Sequence, residues 1–308
     1  PSSMIVMQLP ADAPRSDEGG AQPNTGRLPF LEVGDLLSER GVPVPKIYGE
    51  DLERGVLLLE DLGDQTLHVA LTKTAASSWL KHYERAVDLL ADLHERCAEL
   101  PESSIVRQRR FDRELLEWEL DHFREWGLEA LFGERSTAER AVIDDAFRAI
   151  VDTIERMPYG FVHRDYQSKN LMVSESGDLT LIDYQDAMIG PRAYDLVALL
   201  CDSYVSLDPK LQAAMIDRYA ALRCIDRDEL RSEFRWVTLH RKLKDAGRFV
   251  FIDRVRRNPD FLEWFPQSFV YVGRAVAETP ALAGFGELLR TTIPGFPDSV
   301  EKPMSTAE

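Results

Sequence analysis

The sequence predicts an α+β fold of two lobes, a small strand-bearing one (residues 1–62) and a larger, mainly helical one (residues 63–308). Three observations predict it. Strand-like runs dominate about the first sixty residues, helical spacing takes over after Gly63, and short strands return only around residues 161–183.

Met4-Ile5-Val6-Met7 is the first strand candidate. Residues 10–27 are rich in Pro, Gly, Asp and Ala and read as a loop. Leu28 to Arg40 reads as a helix, with Leu28, Leu31, Leu36 and Leu37 on one face and Gly41 as its stop. Val42-Pro43-Val44-Pro45 excludes helix, because each proline removes a backbone donor. Val56 to Glu60 is the clearest strand, joined to Ile47-Tyr48 by a hairpin over residues 50–55.

Beyond Gly63, Leu80, Tyr83, Val87, Leu90 and Cys97 recur at helical spacing, as do Phe111, Leu115, Leu116, Leu120, Phe123 and Trp126. A third helix runs from about Thr137 to Arg156, and Pro158 ends it. From Tyr194 the chain reads as helical almost to Pro294, with breaks near Asp208, Asp226, Pro259 and Pro280, and a frayed polar end.

A hydrophobic fraction of 44% over 308 residues is ample for a large core. The formal charge of -16 repels phosphate backbones and anionic lipid heads, which argues against nucleic acid and membranes as partners. It leaves room for a basic pocket. Three cysteines without a CxxC give neither a disulfide framework nor a zinc site. Cys97 and Cys201 read as small core residues, which suits a reducing cytoplasm. No run approaches the roughly 18 apolar residues of a membrane span. No signal peptide is visible in a sequence that begins at Pro1. Nothing in the sequence fixes an oligomeric state.

The chemistry is concentrated in two stretches. In Phe161 to Val173 an apolar pair leads in, polar residues follow, and an apolar strand leads out. Polar side chains on such a frame suit phosphoryl transfer, which asks for positioning more than covalent chemistry. The Asp165 carboxylate would orient an acceptor hydroxyl and take its proton, and the Asn170 amide oxygen suits Mg²⁺. In the second stretch Asp183 ends the strand Leu179-Thr180-Leu181-Ile182, beyond a turn at Ser176-Gly177-Asp178. A hairpin there brings Asn170 and Asp183 to one end. A lone strand-end Asp usually caps a turn. The joint pattern, His-Arg-Asp, four residues, Asn, then an Asp after a hairpin, is a far stronger signal.

His163-Arg164-Asp165 with Asn170, followed by Leu181-Ile182-Asp183, resembles the catalytic core of the protein-kinase-like superfamily. Gly190-Pro191-Arg192-Ala193-Tyr194-Asp195-Leu196 is similar to its aminoglycoside phosphotransferase and choline kinase branch. The resemblance implies a protein-kinase-like two-lobe fold that uses ATP and Mg²⁺. Asp165 would be the catalytic base, Asn170 and Asp183 the metal ligands, and His163 a brace. Asp195 would hold the catalytic loop by hydrogen bonds; the plainer reading is a first-turn acid favoured by the helix dipole.

Leu28-Pro-Phe-Leu31, Gly41-Val-Pro-Val-Pro45 and Leu57 to Gly63 look like the nucleotide lobe of bacterial N-acetylmuramate/N-acetylglucosamine anomeric sugar kinases. So do Asp165 to Asn170 and Asp183 to Ala187. This implies an adenine-contacting hinge at Glu60, Asp61 and Leu62. It places Glu32 on the helix whose acid pairs with a phosphate-binding lysine, unless Glu32 is simply a surface residue. Two features depart from the pattern. The strands for a Gly-rich loop would precede Met4, so the nucleotide lobe reads as truncated, and Met7 stands where the lysine would be. The implied acceptor is the anomeric hydroxyl of an N-acetylated amino sugar, in cell-wall recycling. An aminoglycoside, choline or other amino alcohol is the alternative acceptor, and an inactive binding module the alternative class.

Trp118, Trp126, Trp236 and Trp264 lie among leucines at helical spacing and read as core, with sugar stacking as the other reading. His240-Arg241-Lys242-Leu243-Lys244 reads as a solvated helix face, or as a contact for phosphates or an acidic sugar substituent.

Overall fold

A computed structural model describes residues 3–9 and 27–306. The loop expected over 10–27 therefore lies outside the described residues, apart from Arg27. Strand β1 (Met4–Gln8), helix α1 (Pro29–Glu39), β2 (Ile47–Asp51) and β3 (Val56–Glu60) come first. Helices α2 (Leu67–Thr72), α3 (Trp79–Arg96), α4 (Ile105–Gln108) and α5 (Arg113–His122) follow. A π-helical stretch (Phe123–Glu129) continues α5 into α6 (Ala130–Phe132), and α7 (Thr137–Ile154) comes next. Then come β4 (Tyr159–Val162), β5 (Leu171–Val173), β6 (Leu179–Leu181) and β7 (Met188–Pro191). Helices α8 (Tyr194–Leu200), α9 (Pro209–Leu222), α10 (Arg227–Arg256), α11 (Phe265–Ala277) and α12 (Ala283–Thr292) complete the chain.

These elements form two compact units. The first comprises Pro1–Arg110, Tyr159–Leu200 and Asp208–Arg227; the second comprises Phe111–Pro158, Cys201–Leu207 and Asp228–Glu308.

In the first unit an antiparallel sheet has the order β1-β3-β2. Leu57 and Leu59 alternate inward from β3 and meet Leu31 of α1 in a small core, with Met7, Phe30 and Ile47 packed against it. Pro29 starts α1, where its missing N–H costs nothing. The buried face of α1 is Leu31, Val33, Leu36 and Leu37, while Leu28 precedes the helix. Gly41, at φ 69°, ends the turn. Helix α3 buries Tyr83, Val87 and Leu90 as its periodicity predicts, and Cys97, just past its end, is buried too, but Leu80, in its first turn, is 46% exposed. It packs along α9, whose start is capped by Asp208 Oδ1 accepting from the Lys210 and Leu211 amides. Strands β5 and β6 form the expected hairpin, Leu171 opposite Leu181. Gly177, at φ 84°, supplies its turn, and β4 pairs with β7.

The second unit is helical. A capping box between Ser136 and Glu139 starts α7. Gly247 of α10 lets that helix run against the start of the π-helical stretch; a Cβ there would stand 2.8 Å from both the His122 carbonyl oxygen and the Phe123 Cα. The basic run on α10 is not a solvated face: His240, Arg241, Lys242 and Lys244 are all buried. Lys242 donates to Ser203 Oγ (2.5 Å) and Asp245 Oδ2 (2.7 Å). Burial pushes the Asp245 carboxyl up, but Lys242, Arg241 and Lys244 outweigh it and hold it below the usual carboxylate range.

Trp118, Trp126, Trp236 and Trp264 are half-buried and not fully core, since an indole is too large for complete burial at most sites. Trp118 stacks on His122, and Trp126 meets Phe251 edge-on. No helix among the described residues is long and apolar enough to cross a membrane.

Candidate active site

The site belongs to the first unit, and its frame is the buried carboxylate of Asp195 in the first turn of α8. One oxygen accepts from the His163 amide (2.7 Å) and the other from the Arg164 amide (3.0 Å). His94 of α3 contributes a third contact, Nε2 to Oδ2 at 3.2 Å. These bonds fix the chain as it leaves β4 and enters an unusual turn. Arg164 has φ 75°, in the left-handed region that costs a side-chain-bearing residue about 1–2 kcal/mol. The next residue but one is also pinned: Tyr166 is buried, its hydroxyl donates to the Ala86 carbonyl (2.8 Å), and its ring meets His163 edge-on. Asp165 therefore stands between two held neighbours, half-buried, with Gln167 Nε2 3.3 Å from its Oδ1.

Asn170 reaches this loop through its amide nitrogen, which donates to the Asp165 carbonyl (2.9 Å) and to Asp183 Oδ2 (3.2 Å). The Ile182 amide donates to the Asn170 carbonyl (3.1 Å), tying the open ends of the hairpin together. Asp183 has φ 64° and an exposed side chain, and Gln185 Nε2 donates to its Oδ1 (2.9 Å). Asp165, Asn170 and Asp183 thus come together as the sequence predicts. With Nδ2 spent on these bonds, Asn170 offers its Oδ1 beside the Asp183 carboxylate. Two hard oxygen donors fit Mg²⁺, which keeps waters and substrate phosphates in its remaining positions. No group of three or more His, Cys, Asp or Glu side chains forms a self-sufficient metal cage among the described residues.

Helix α1 holds the Asp183 loop from behind. Phe30 stacks on Tyr184 with ring centroids 5.0 Å apart. Gly34 permits the approach, since a Cβ there would lie 2.8 Å from the Tyr184 hydroxyl. Burial raises the pKa of that phenol. Arg109 is a further brace that sequence reasoning missed: Nη1 donates to the Gln185 carbonyl (2.7 Å), and the Arg109 carbonyl accepts from Ile189 (2.9 Å). His94 was also missed. Its one local signal is its place on the buried face of α3, beside Leu90 and Leu93.

Glu60 ends β3, with its amide on the Lys46 carbonyl (2.8 Å) and its Oε2 accepting from the Lys46 amide (3.1 Å). Asp61 Oδ1 accepts from the Gly63 amide (2.9 Å), and that bond, with the Ser3 hydroxyl, lowers its pKa. Leu62 is half-buried. The segment just beyond them is stitched to the hairpin: Val173 donates to the Gln65 carbonyl (2.7 Å), and Thr66 bridges to Met172. Glu32 Oε1 accepts from the Ile105 amide (3.0 Å) at the start of α4. Met7 lies opposite Leu57 and packs onto the small core.

A carboxylate on a strand-framed loop, with an amide and a second carboxylate at the neighbouring hairpin, is the architecture of a kinase-like phosphotransferase. Residues 16–232 match the phosphotransferase enzyme family, more than half of the chain, and the chain belongs to that family. An N-acetylmuramate/N-acetylglucosamine kinase of Pseudomonas aeruginosa is 33% identical over 300 residues, 93% of this chain and 81% of its own length. A kinase of the same name from Pseudomonas putida is 31% identical over 280 residues, 87% of this chain and 78% of its own.

Among solved structures, a choline/ethanolamine kinase family protein from Mesorhizobium loti superposes with TM-score 0.58 at 15% identity, covering 85% of this chain and 82% of its own. The AMP-bound spectinomycin phosphotransferase gives 0.55 at 16% identity, covering 82% and 84%. At such identities these two show the shared fold.

Proposed function

We propose that this phosphotransferase moves the terminal phosphate of ATP to the anomeric hydroxyl of an N-acetylated amino sugar, N-acetylmuramate or N-acetylglucosamine. The observation that carries the acceptor is the name shared by its relatives, which are 27–33% identical over most of the chain. The convergence of Asp165, Asn170 and Asp183 supports the reaction. Asp165 orients the sugar hydroxyl and takes its proton as the oxygen attacks phosphorus, and ADP leaves. Asn170 and Asp183 would hold Mg²⁺, which offsets charge on the phosphates. Asp195 and His163 keep the loop in register. Glu60, Asp61 and Leu62 present backbone to adenine.

In this reading residues 1–62 serve the nucleotide and residues 63–308 the catalytic and acceptor roles, a functional division distinct from the two compact units. Three free cysteines suit a cytoplasmic enzyme of cell-wall recycling.

The test is a panel of acceptors with γ-labelled ATP and Mg²⁺. Transfer to N-acetylmuramate and N-acetylglucosamine, giving an acid-labile glycosyl phosphate, is the expected result. Transfer confined to aminoglycosides or choline would remove the acceptor assignment and keep the enzyme. Nucleotide binding with transfer to none of them would favour the binding-module reading.

A further inference from the structure

We infer that Tyr219, on α9, is a positioning residue for phosphoryl transfer, acting through His94 and Asp195 on the catalytic loop. Its hydroxyl lies 2.6 Å from His94 Nδ1, and the other ring nitrogen, Nε2, lies 3.2 Å from Asp195 Oδ2. All three side chains are buried, with Tyr219 1%, His94 7% and Asp195 0% exposed. Asp195 in turn accepts from the amides of His163 and Arg164, which flank the entry to Asp165. A hydrogen-bonded line therefore runs from one helix, through a second, to the loop that carries the base, and crosses 125 and then 101 residues of sequence.

The direction of the line follows from the chemistry of its members. A carboxylate can only accept, so Nε2 of His94 carries the proton that faces Asp195. In the neutral ring Nδ1 is then a bare lone pair, and the Tyr219 hydroxyl donates to it. Tyr219 and Asp195 thereby favour the same tautomer, and between them they hold the ring at both nitrogens. Without the hydroxyl, Nε2 keeps its proton and its acceptor, but the ring loses the anchor at Nδ1 that sets its angle toward the carboxylate. Asp195 would then be met by a less well-aligned third donor and hold the strained Arg164 turn less firmly. A partner at the second ring nitrogen commonly orients a histidine in this way.

The inference rests on the phosphotransferase reading, and its test separates the two. Tyr219→Phe, His94→Leu and the double variant are compared with wild type, with turnover normalised to the nucleotide-binding stoichiometry. Tyr219→Phe is expected to lower kcat about 3- to 10-fold, the value of one buried hydrogen bond, while KM for ATP stays near wild type. In the His94→Leu background the same change is expected to lower kcat no further, because the inferred effect on the catalytic loop is transmitted by that ring. Hydrogen–deuterium exchange over residues 162–168 reads the same geometry without turnover, and should quicken in Tyr219→Phe.

Equal effects of Tyr219→Phe in both backgrounds would overturn the inference, as would unchanged kcat and exchange. So would a loss of kcat fully accounted for by lost nucleotide-binding sites, since that is a folding defect. A wild-type chain that transfers no phosphate refutes the phosphotransferase reading instead, and the exchange data still decide the role of Tyr219.

Discussion

Asn170 and Asp183 lie side by side at the open end of the β5–β6 hairpin, the amide nitrogen of one donating to the carboxylate of the other across 3.2 Å. The contact fixes which atoms remain for a cation: the Asn170 amide oxygen and the Asp183 carboxylate. Asp183→Asn removes the charged member of the pair. It should lower kcat/KM by about 10²- to 10³-fold, the scale of losing one electrostatic contact to the transferring group. Calorimetry of ATP with and without Mg²⁺ checks the cause. Metal-free ATP should bind both proteins alike, and the gain on adding Mg²⁺ should shrink in the variant. A full Mg²⁺ gain in Asp183→Asn would contradict the metal assignment.

Asp165→Ala separates chemistry from binding. The side chain sits on a loop held by Asp195 and Tyr166, so its removal leaves the frame in place. A general base contributes about 10²- to 10⁴-fold, and kcat should fall by that factor while nucleotide affinity stays close to wild type. Full turnover in this variant would refute the base assignment.

The parts of this site legible in the sequence are those whose causes are local. The hairpin was readable because apolar runs flank Ser176-Gly177-Asp178, and Gly177 takes the left-handed turn that such a run requires. The spacing of Asp165, Asn170 and Asp183 carried the site for the same reason. What escaped depends on distant partners. His94 announces itself only as one more residue on a buried helix face, and its acceptor lies 101 residues away. Gly34 looks like a weak point in a helix until Tyr184 is placed over it. The basic run of α10 reads as solvated because an i,i+3 acid such as Asp245 is equally common on an exposed helix face, and the buried partner Ser203 lies 39 residues away in sequence.

Gly247→Ala tests the tight helix contact in the second unit. The added Cβ meets backbone, the His122 carbonyl oxygen and the Phe123 Cα, and backbone yields less readily than a side-chain tip. Overpacking of this kind costs about 1–3 kcal/mol, which denaturant unfolding would register. Gly49→Ala is the control: a Cβ there meets nothing within 4 Å, and the change should stay within about 0.5 kcal/mol.

His240 makes the stability of the fold depend on pH in a window that can be worked out. Its imidazole is buried, which pushes its pKa down from 6.5 to about 4. The Leu116 carbonyl and Asp245 pull the value up, while Lys244 and Arg241 push it down further. Glu119 Oε2 lies 3.5 Å from Nδ1 and argues for a charged ring. Burial decides against it. Nε2 donates to the Leu116 carbonyl at 3.1 Å, and a neutral ring has no second N–H to place. Between pH 6.5 and about 4 the unfolded chain therefore binds a proton that the folded chain refuses. Stability rises with pH across that window and is fully present above it, a contribution of about 3 kcal/mol at most. His240→Gln keeps a donor for Leu116 and removes the titration. Denaturant unfolding from pH 4 to 7 should show a flatter slope in the variant than in wild type. If Glu119 instead held an imidazolium in the folded state, wild type would lose its advantage over the variant as pH rises, the opposite sign.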